Sequence, residues 1–225
     1  MNTSNKLKIF NDPIYGFITI PNPLIFDLIA HPYFQRLRRI TQMGLSYLVY
    51  PGAHHTRFHH ALGCLHLMQK AVRILSFKGV SISKDEENAL YIAILLHDIG
   101  HGPFSHAMEH SIVHDIDHES ISLRFMEQLN REFKGQLSLA ITMFKGDYSR
   151  KFFGQLISSQ LDMDRVRNYK RNGSIYSWNI NSLTNLSPLY WDSPYFETNE
   201  NLNFQNKNNA LTYFSLSLYH DLEWT

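Results

Sequence analysis

Cys64 is the only cysteine in 225 residues, so no intramolecular disulfide can form and the chain fits a reducing compartment. A glycine-rich phosphate loop, a Walker signature and a serine-nucleophile motif are all missing. Their absence removes the common ways of cradling a phosphate in a backbone loop or attacking it with a serine. Long apolar runs are lacking too: the longest, Ala89 to Leu96, falls well short of the roughly 20 residues that span a bilayer. Behind the charges of Met1 to Lys8 there is no apolar stretch, so no signal peptide is expected. The expectation is a cytoplasmic chain with no membrane partner. Nor is there a strong excess of charge of one sign, since the formal net charge is +1, and a nucleic-acid partner is not expected. The charge is unevenly spread, however. From Asn172 onward one basic residue, Lys207, faces five acidic ones, which leaves a surplus of five positive charges over residues 1–171. A mildly basic body suits a small anionic substrate.

Histidine is what the chain has in abundance. Eleven of its 13 histidines fall between His54 and His118. At 44% hydrophobic residues the chain can bury one substantial core. Asn11 to Gly16 is turn chemistry, followed by a strand candidate at Phe17 to Ile20, so a short amino-terminal β-hairpin or strand is expected. From Leu24 to Met43 apolar residues recur at helical spacing, with Pro32 separating two helices and Arg36, Arg38 and Arg39 on the polar side. A longer helix is predicted over Arg57 to Phe77. Lys84-Asp85-Glu86-Glu87 opens another, apolar on nearly every side from Ala89 to Leu96 and therefore central, which stops near Gly100 and Gly102-Pro103. Further helices are expected at 105–110, 118–129, 137–144 and 151–169. After Arg171 the remaining residues include ten asparagines and no arginine, and Pro188 and Pro194 break any helix. The fold class expected is all-α, with a domain over residues 1–171 and an irregular segment over residues 172–225.

His97-Asp98 emerges from the most apolar helix, and a charge leaving such a core needs a partner or a metal. With His60 at the start of another helix and Asp164 near Asp162, the donors are two imidazoles and two carboxylates. Such a set suits one divalent cation (Mn, Fe, Zn, Ni or Mg) and leaves positions open for water and a phosphate oxygen. Metal-activated water is then the simplest hydrolytic engine. Asp162 is a candidate to orient a ligating imidazole. His106, His118 and Glu119 could orient the attacking water or protonate a leaving oxygen. Arg57, one helical turn before His60, can face the same cavity and grip phosphate. Cys64 reads as a small buried helix residue, and His110 and His114 as an exposed helix face. His54, His55 and His59 stay open.

His60, His97-Asp98 and Asp164 resemble the H…HD…D signature of the HD superfamily of metal-dependent phosphohydrolases. The likeness is closer to its dGTPase-like branch, the deoxynucleoside triphosphate triphosphohydrolases. It is carried by residues 8–16, by Phe34-Gln35-Arg36-Leu37-Arg38-Arg39-Ile40, by Pro51-Gly52-Ala53 with Thr56-Arg57-Phe58-His59-His60, and by residues 97–106. It covers about residues 8–171 and implies an all-α HD fold that cleaves a dNTP to deoxynucleoside and inorganic triphosphate. His60, His97, Asp98 and Asp164 would be the metal ligands, with a second Mg2+ accompanying the phosphates. Arg57, His101 and Arg165 would face the substrate, with Gln42 and Met43 at the deoxyribose. His106 and His118 would be the catalytic and phosphate-contacting histidines, supported by Glu109 and Glu119. Gln35 and Arg38 match positions that some relatives use for an activating nucleotide, whereas Ala30 stands where those relatives carry a guanine-reading Asp. Homo-oligomers are the rule in the family. After Asp164 the pattern departs: Asn168 and Asn172 replace a Tyr and an Asp expected to close the sugar pocket. A shortened or diverged carboxy-terminal part is expected to keep the metal centre while compromising substrate closure and oligomer contacts. Another nucleotide phosphoester as substrate, or binding without turnover, are the alternatives.

Overall fold

The computed structural model of the protein describes residues 8–104 and 117–158. Strand β1 (Ile9–Asp12) pairs antiparallel with β2 (Gly16–Thr19), in register from Ile9↔Thr19 to Asp12↔Gly16. The turn between them follows from its residues. The Asp12 carboxylate accepts from the N–H groups of Ile14 (2.9 Å) and Tyr15 (3.1 Å), and Gly16 supplies the positive φ of 67°. Ile18 on β2 is fully buried and Gln69 donates to the Thr19 carbonyl at 3.1 Å, so the hairpin is fastened to the helical body.

Helix α1 (Pro23–Ala30) is capped by Asn22, whose side chain accepts from the Ile25 N–H at 2.9 Å. Helix α2 (Pro32–Gln35) follows. The helical pattern predicted to reach Met43 does not hold beyond Gln35. The chain tightens into a 3-10 turn at Arg36–Arg39 and then runs extended. Leu37 and Ile40 sit three residues apart, a spacing that a 3-10 turn serves as well as an α-helix. The extended piece pairs with the approach to the next helix. Thr41 bridges Thr56, the Arg57 N–H donates to Ile40 O at 2.9 Å, and the Gln42 N–H donates to His55 O at 3.0 Å.

Helix α3 spans Arg57–Phe77 and α4 spans Lys84–Leu96. Ser83 and Glu86 form a reciprocal capping box at the start of α4, with distances of 3.2 and 2.8 Å. From Ala89 to Leu96 no residue of α4 is more than 3% exposed. Each large side chain there contributes about 1.5–3 kcal/mol by leaving water, which makes α4 the axis of the core. It packs between α3 on one side and α6 (Ser138–Phe144) on another, with α7 (Phe152–Ile157) also against it. Helix α5 (His118–Glu132) is capped by Asp117 and packs on α6. Of the helix expected over 151–169 the described residues hold Phe152–Ile157, after which Ser158 turns to extended backbone; residues 159–169 lie outside the described residues. The expected helix at 105–110, and all of residues 172–225, lie outside the described residues. The described protein is thus mostly helical with one amino-terminal hairpin. No helix among the described residues is long and apolar enough to cross a membrane.

Candidate metal centre

The central helix runs out at Leu96 and the chain delivers His97 and Asp98 at the mouth of the core. His97 Nδ1 lies 2.7 Å from the Ile94 carbonyl. A carbonyl can only accept, so Nδ1 carries the proton and Nε2 keeps its lone pair for a ligand. Asp98, 7% exposed, has groups of opposite or matching character around both oxygens. Oδ2 receives the Arg57 Nη1 donor at 2.5 Å and lies 3.5 Å from His60 Nε2. Oδ1 lies 3.5 Å from His97 Nε2 and 3.4 Å from His101 Nε2. The His60 and His97 rings are 5.5 Å apart. His118, first residue of α5, stacks on His101 at 4.0 Å and 15°.

These spacings bear on what the site can hold. At 3.4–3.5 Å the imidazole–carboxylate separations are longer than good hydrogen bonds. They suit ligand atoms around a cation, since bonds of roughly 2.0–2.2 Å put neighbouring donors about 3.0–3.5 Å apart. The donor chemistry fits a divalent metal, and two groups, His60–Cys64–His97 and Asp98–His101–His118, each bring three possible ligand atoms within 4.8 Å of one another. Burial alone would raise the Asp98 carboxyl pKa. The surrounding His97, His101, His60 and Arg57 outweigh that and hold it well below the usual carboxylate range. For His101 burial dominates and lowers the pKa, with Asp98 opposing and Arg57 and His118 adding to the fall. At neutral pH the site therefore presents an ionised carboxylate and a neutral His101.

Two contacts shape the turn after α4. Ser122, fully buried on α5, accepts from the Gly100 N–H at 2.8 Å and donates to the His97 carbonyl at 2.7 Å. A Cβ at Gly100 would lie 2.3 Å from the His118 carbonyl and 2.4 Å from the Ser122 nitrogen, so only glycine permits this approach. From the other side Arg36 donates to the His101 carbonyl at 2.9 Å and also to the Ile99 carbonyl. Arg36 was expected on a solvated face; it is half-buried instead because the turn offers carbonyls that no helix hydrogen bond satisfies. Arg38 does stay exposed, over the Phe58 ring at 3.6 Å.

Among the residues singled out by sequence, Arg57, His60, His97, Asp98 and His101 are brought together and His118 adjoins them. Glu119 is exposed in the first turn of α5. Gln42 and Met43 are half-buried in the segment lashed to the start of α3, and the Gln42 Oε1 is buried with no hydrogen-bond partner among the described residues. Asp164, Asp162, Arg165, His106, Glu109, His110 and His114 lie outside the described residues. His59 serves the start of α3, with Nδ1 2.9 Å from the Thr56 hydroxyl. His54 is exposed beside Tyr47, and His55 is buried. Ser122 and the inward role of Arg36 escaped sequence reasoning, because no local pattern marks a side chain that serves a distant backbone.

A family profile described as HD domain matches residues 57–166. A solved phosphohydrolase from Bacteroides thetaiotaomicron is 53% identical, with a TM-score of 0.74 over 76% of this chain and 43% of that one. The Bacillus subtilis protein YwfO, itself uncharacterized, is 38% identical over 173 residues, 73% of this chain and 39% of its own. Human SAMHD1, a deoxynucleoside triphosphate triphosphohydrolase, is 45% identical over 107 residues, 47% of this chain and 17% of its own. The chain thus spans less than half the length of these relatives. The shared profile runs through the buried His-Asp turn at the end of α4 and the His60 helix that faces it, and residues 57–166 of this chain belong to the HD-domain family.

Proposed function

We propose that this chain hydrolyses deoxynucleoside triphosphates to deoxynucleoside and inorganic triphosphate. The observation that carries the reading is the buried Asp98 carboxylate, kept ionised and faced by Arg57 and by nitrogens of His60, His97 and His101. Identity of 44% over 109 residues and 45% over 107 residues to proteins named deoxynucleoside triphosphate triphosphohydrolase supports the choice of substrate. His60, His97 and Asp98, together with Asp164, would hold one divalent cation (Mn, Fe, Zn, Ni or Mg). When bound, that cation supplies Lewis acidity and makes water a usable nucleophile near neutral pH.

The chain's own groups do the rest. Arg57 keeps one guanidinium nitrogen on Asp98 while its other donors can meet phosphate oxygens. His118 stands at the first position of a 15-residue helix, where the backbone dipole also favours an anion. In the reaction the bond between the α-phosphorus and the 5′-oxygen breaks, and that oxygen must gain a proton. His106 and His118, with Glu109 and Glu119 beside them in sequence, are the groups assigned to it. The buried Gln42 oxygen is available to accept from a sugar hydroxyl, next to Met43. Nucleotide is the partner this chemistry requires; the homo-oligomer usual in the family is not expected of this chain, which sedimentation would check.

Incubating the purified chain with each dNTP and Mn2+ or Mg2+, with mass detection of products, tests the proposal. Inorganic triphosphate with the deoxynucleoside is the expected outcome. Orthophosphate or pyrophosphate instead would reassign the chain to another phosphoester, and bound nucleotide without products would make it a binding protein.

A further inference from the structure

We propose that Cys64, His60 and His97 form a second, thiolate-containing cation site that selects thiophilic divalent cations and competes with Asp98 for His60. The inference rests on the reading of His60 and His97 as cation-holding residues. Cys64 follows His60 by four residues on α3, so both side chains project from one face of the helix. Both are fully buried. The Cys64 sulfur lies 3.6 Å from His60 Nε2, and ligand atoms of Cys64, His60 and His97 all lie within 4.8 Å of one another.

The spacing is informative in magnitude. Zinc bonds of about 2.3 Å to sulfur and about 2.0–2.1 Å to nitrogen, meeting at the tetrahedral angle, separate the two donors by about 3.6 Å. His60 Nε2 therefore stands at a coordination-edge distance from a soft sulfur on one side and, at 3.5 Å, from the hard Asp98 Oδ2 on the other. Asp98 falls in the other donor group, with His101 and His118, so the two sets divide by ligand softness. Mg2+ and Mn2+ favour oxygen, whereas Zn2+, Co2+ and Cd2+ gain from thiolate. On binding, the Cys64 S–H bond breaks, its proton leaves to solvent, and the sulfur lone pair forms the bond to the cation. No electron transfer is involved. A cation seated on Cys64 takes His60 and His97 out of the set that includes Asp98, and so inhibits at this position, whichever divalent cation serves beside Asp98.

The test is Co2+ titration of the full chain under a phosphine reductant. A near-ultraviolet thiolate-to-Co2+ charge-transfer band is expected to grow in step with the visible d–d bands and to vanish on adding Zn2+. In Cys64→Ala and Cys64→Ser the d–d bands persist without the charge-transfer band. Visible bands without a sulfur band in the native chain overturn the proposal, whether or not either variant folds. With Mg2+ saturating, Zn2+ inhibition of phosphoester hydrolysis is expected to weaken by about tenfold in Cys64→Ala; equal sensitivity counts against the site. Failure of the dNTP assay leaves the optical result untouched, and absence of the sulfur band leaves triphosphate release untouched.

Discussion

Replacing Gly100 with alanine tests how the site is assembled. The new methyl carbon would sit 2.3 Å from the His118 carbonyl oxygen, 2.4 Å from the Ser122 nitrogen and 2.8 Å from the Ser122 hydroxyl. Ordinary contact requires about 3.5 Å, so the first turn of α5 must retreat by about 1 Å. Two of the three obstacles are backbone and cannot rotate aside. The retreat breaks the Gly100 N–H bond to Ser122 and the Ser122 bond to the His97 carbonyl, both in the interior. Those losses cost roughly 0.5–1.5 kcal/mol each, and overpacking adds about 1–3 kcal/mol. The expected destabilisation is therefore about 2–6 kcal/mol, a large part of the roughly 5–15 kcal/mol that holds a typical domain together. Urea denaturation should show a lower midpoint at unchanged slope. Ser122→Ala, which removes the hydrogen bonds without the clash, should cost about 1–3 kcal/mol and so separates the two effects. Cation affinity should fall in Gly100→Ala beyond the loss in Ser122→Ala, since His118 is carried off its stack on His101. A Gly100→Ala chain as stable as the native one would refute the close approach of α5 to this turn.

Asp98→Ala should abolish product formation and destabilise the fold by about 3 kcal/mol or more, because Arg57, 3% exposed, would keep its charge without the carboxylate; unchanged turnover would exclude the proposed centre. Arg36→Met should lower Tm and cation affinity together by withdrawing donors from the Ile99 and His101 carbonyls, at a cost of about 2–4 kcal/mol, whereas a surface arginine would leave both unmoved. Glu86 supplies a pH prediction. Burial would raise its pKa, but the Ser83 N–H, the Tyr148 hydroxyl and Arg150 outweigh burial and set it below the ordinary value. The folded chain then binds fewer protons than the unfolded one, so this contribution is complete above about pH 4.3 and fades as pH falls towards the folded value. Glu86→Gln should flatten the acid limb of a Tm-against-pH profile, and an unaltered limb would count against the cluster.

Local chemistry made much of the architecture legible. The all-apolar run from Ala89 to Leu96 announced a central helix and is one, buried on every side. The Asn11–Gly16 turn foretold a hairpin, though only pairing with Phe17–Thr19 revealed Ile9–Asp12 as its other strand. The pattern misled between Arg36 and Met43, where three-residue spacing serves a 3-10 turn as readily as an α-helix and long-range pairing with residues 55–57 decided the matter. Arg36 was misjudged for the same reason: its partners lie more than sixty positions away.

Residue type and near-neighbour spacing were enough to nominate His60, His97, Asp98 and Arg57, because metal and phosphate chemistry accept few side chains and an Asp cannot leave an apolar helix unattended. Sequence could not say that Ser122 and Gly100 would lock α5 onto the His-Asp turn, or that Cys64 would face the same His60 nitrogen as Asp98. Those facts belong to the packing of α3, α4 and α5. A contact between elements depends on where each helix ends up, and no single helix carries that information in its own periodicity.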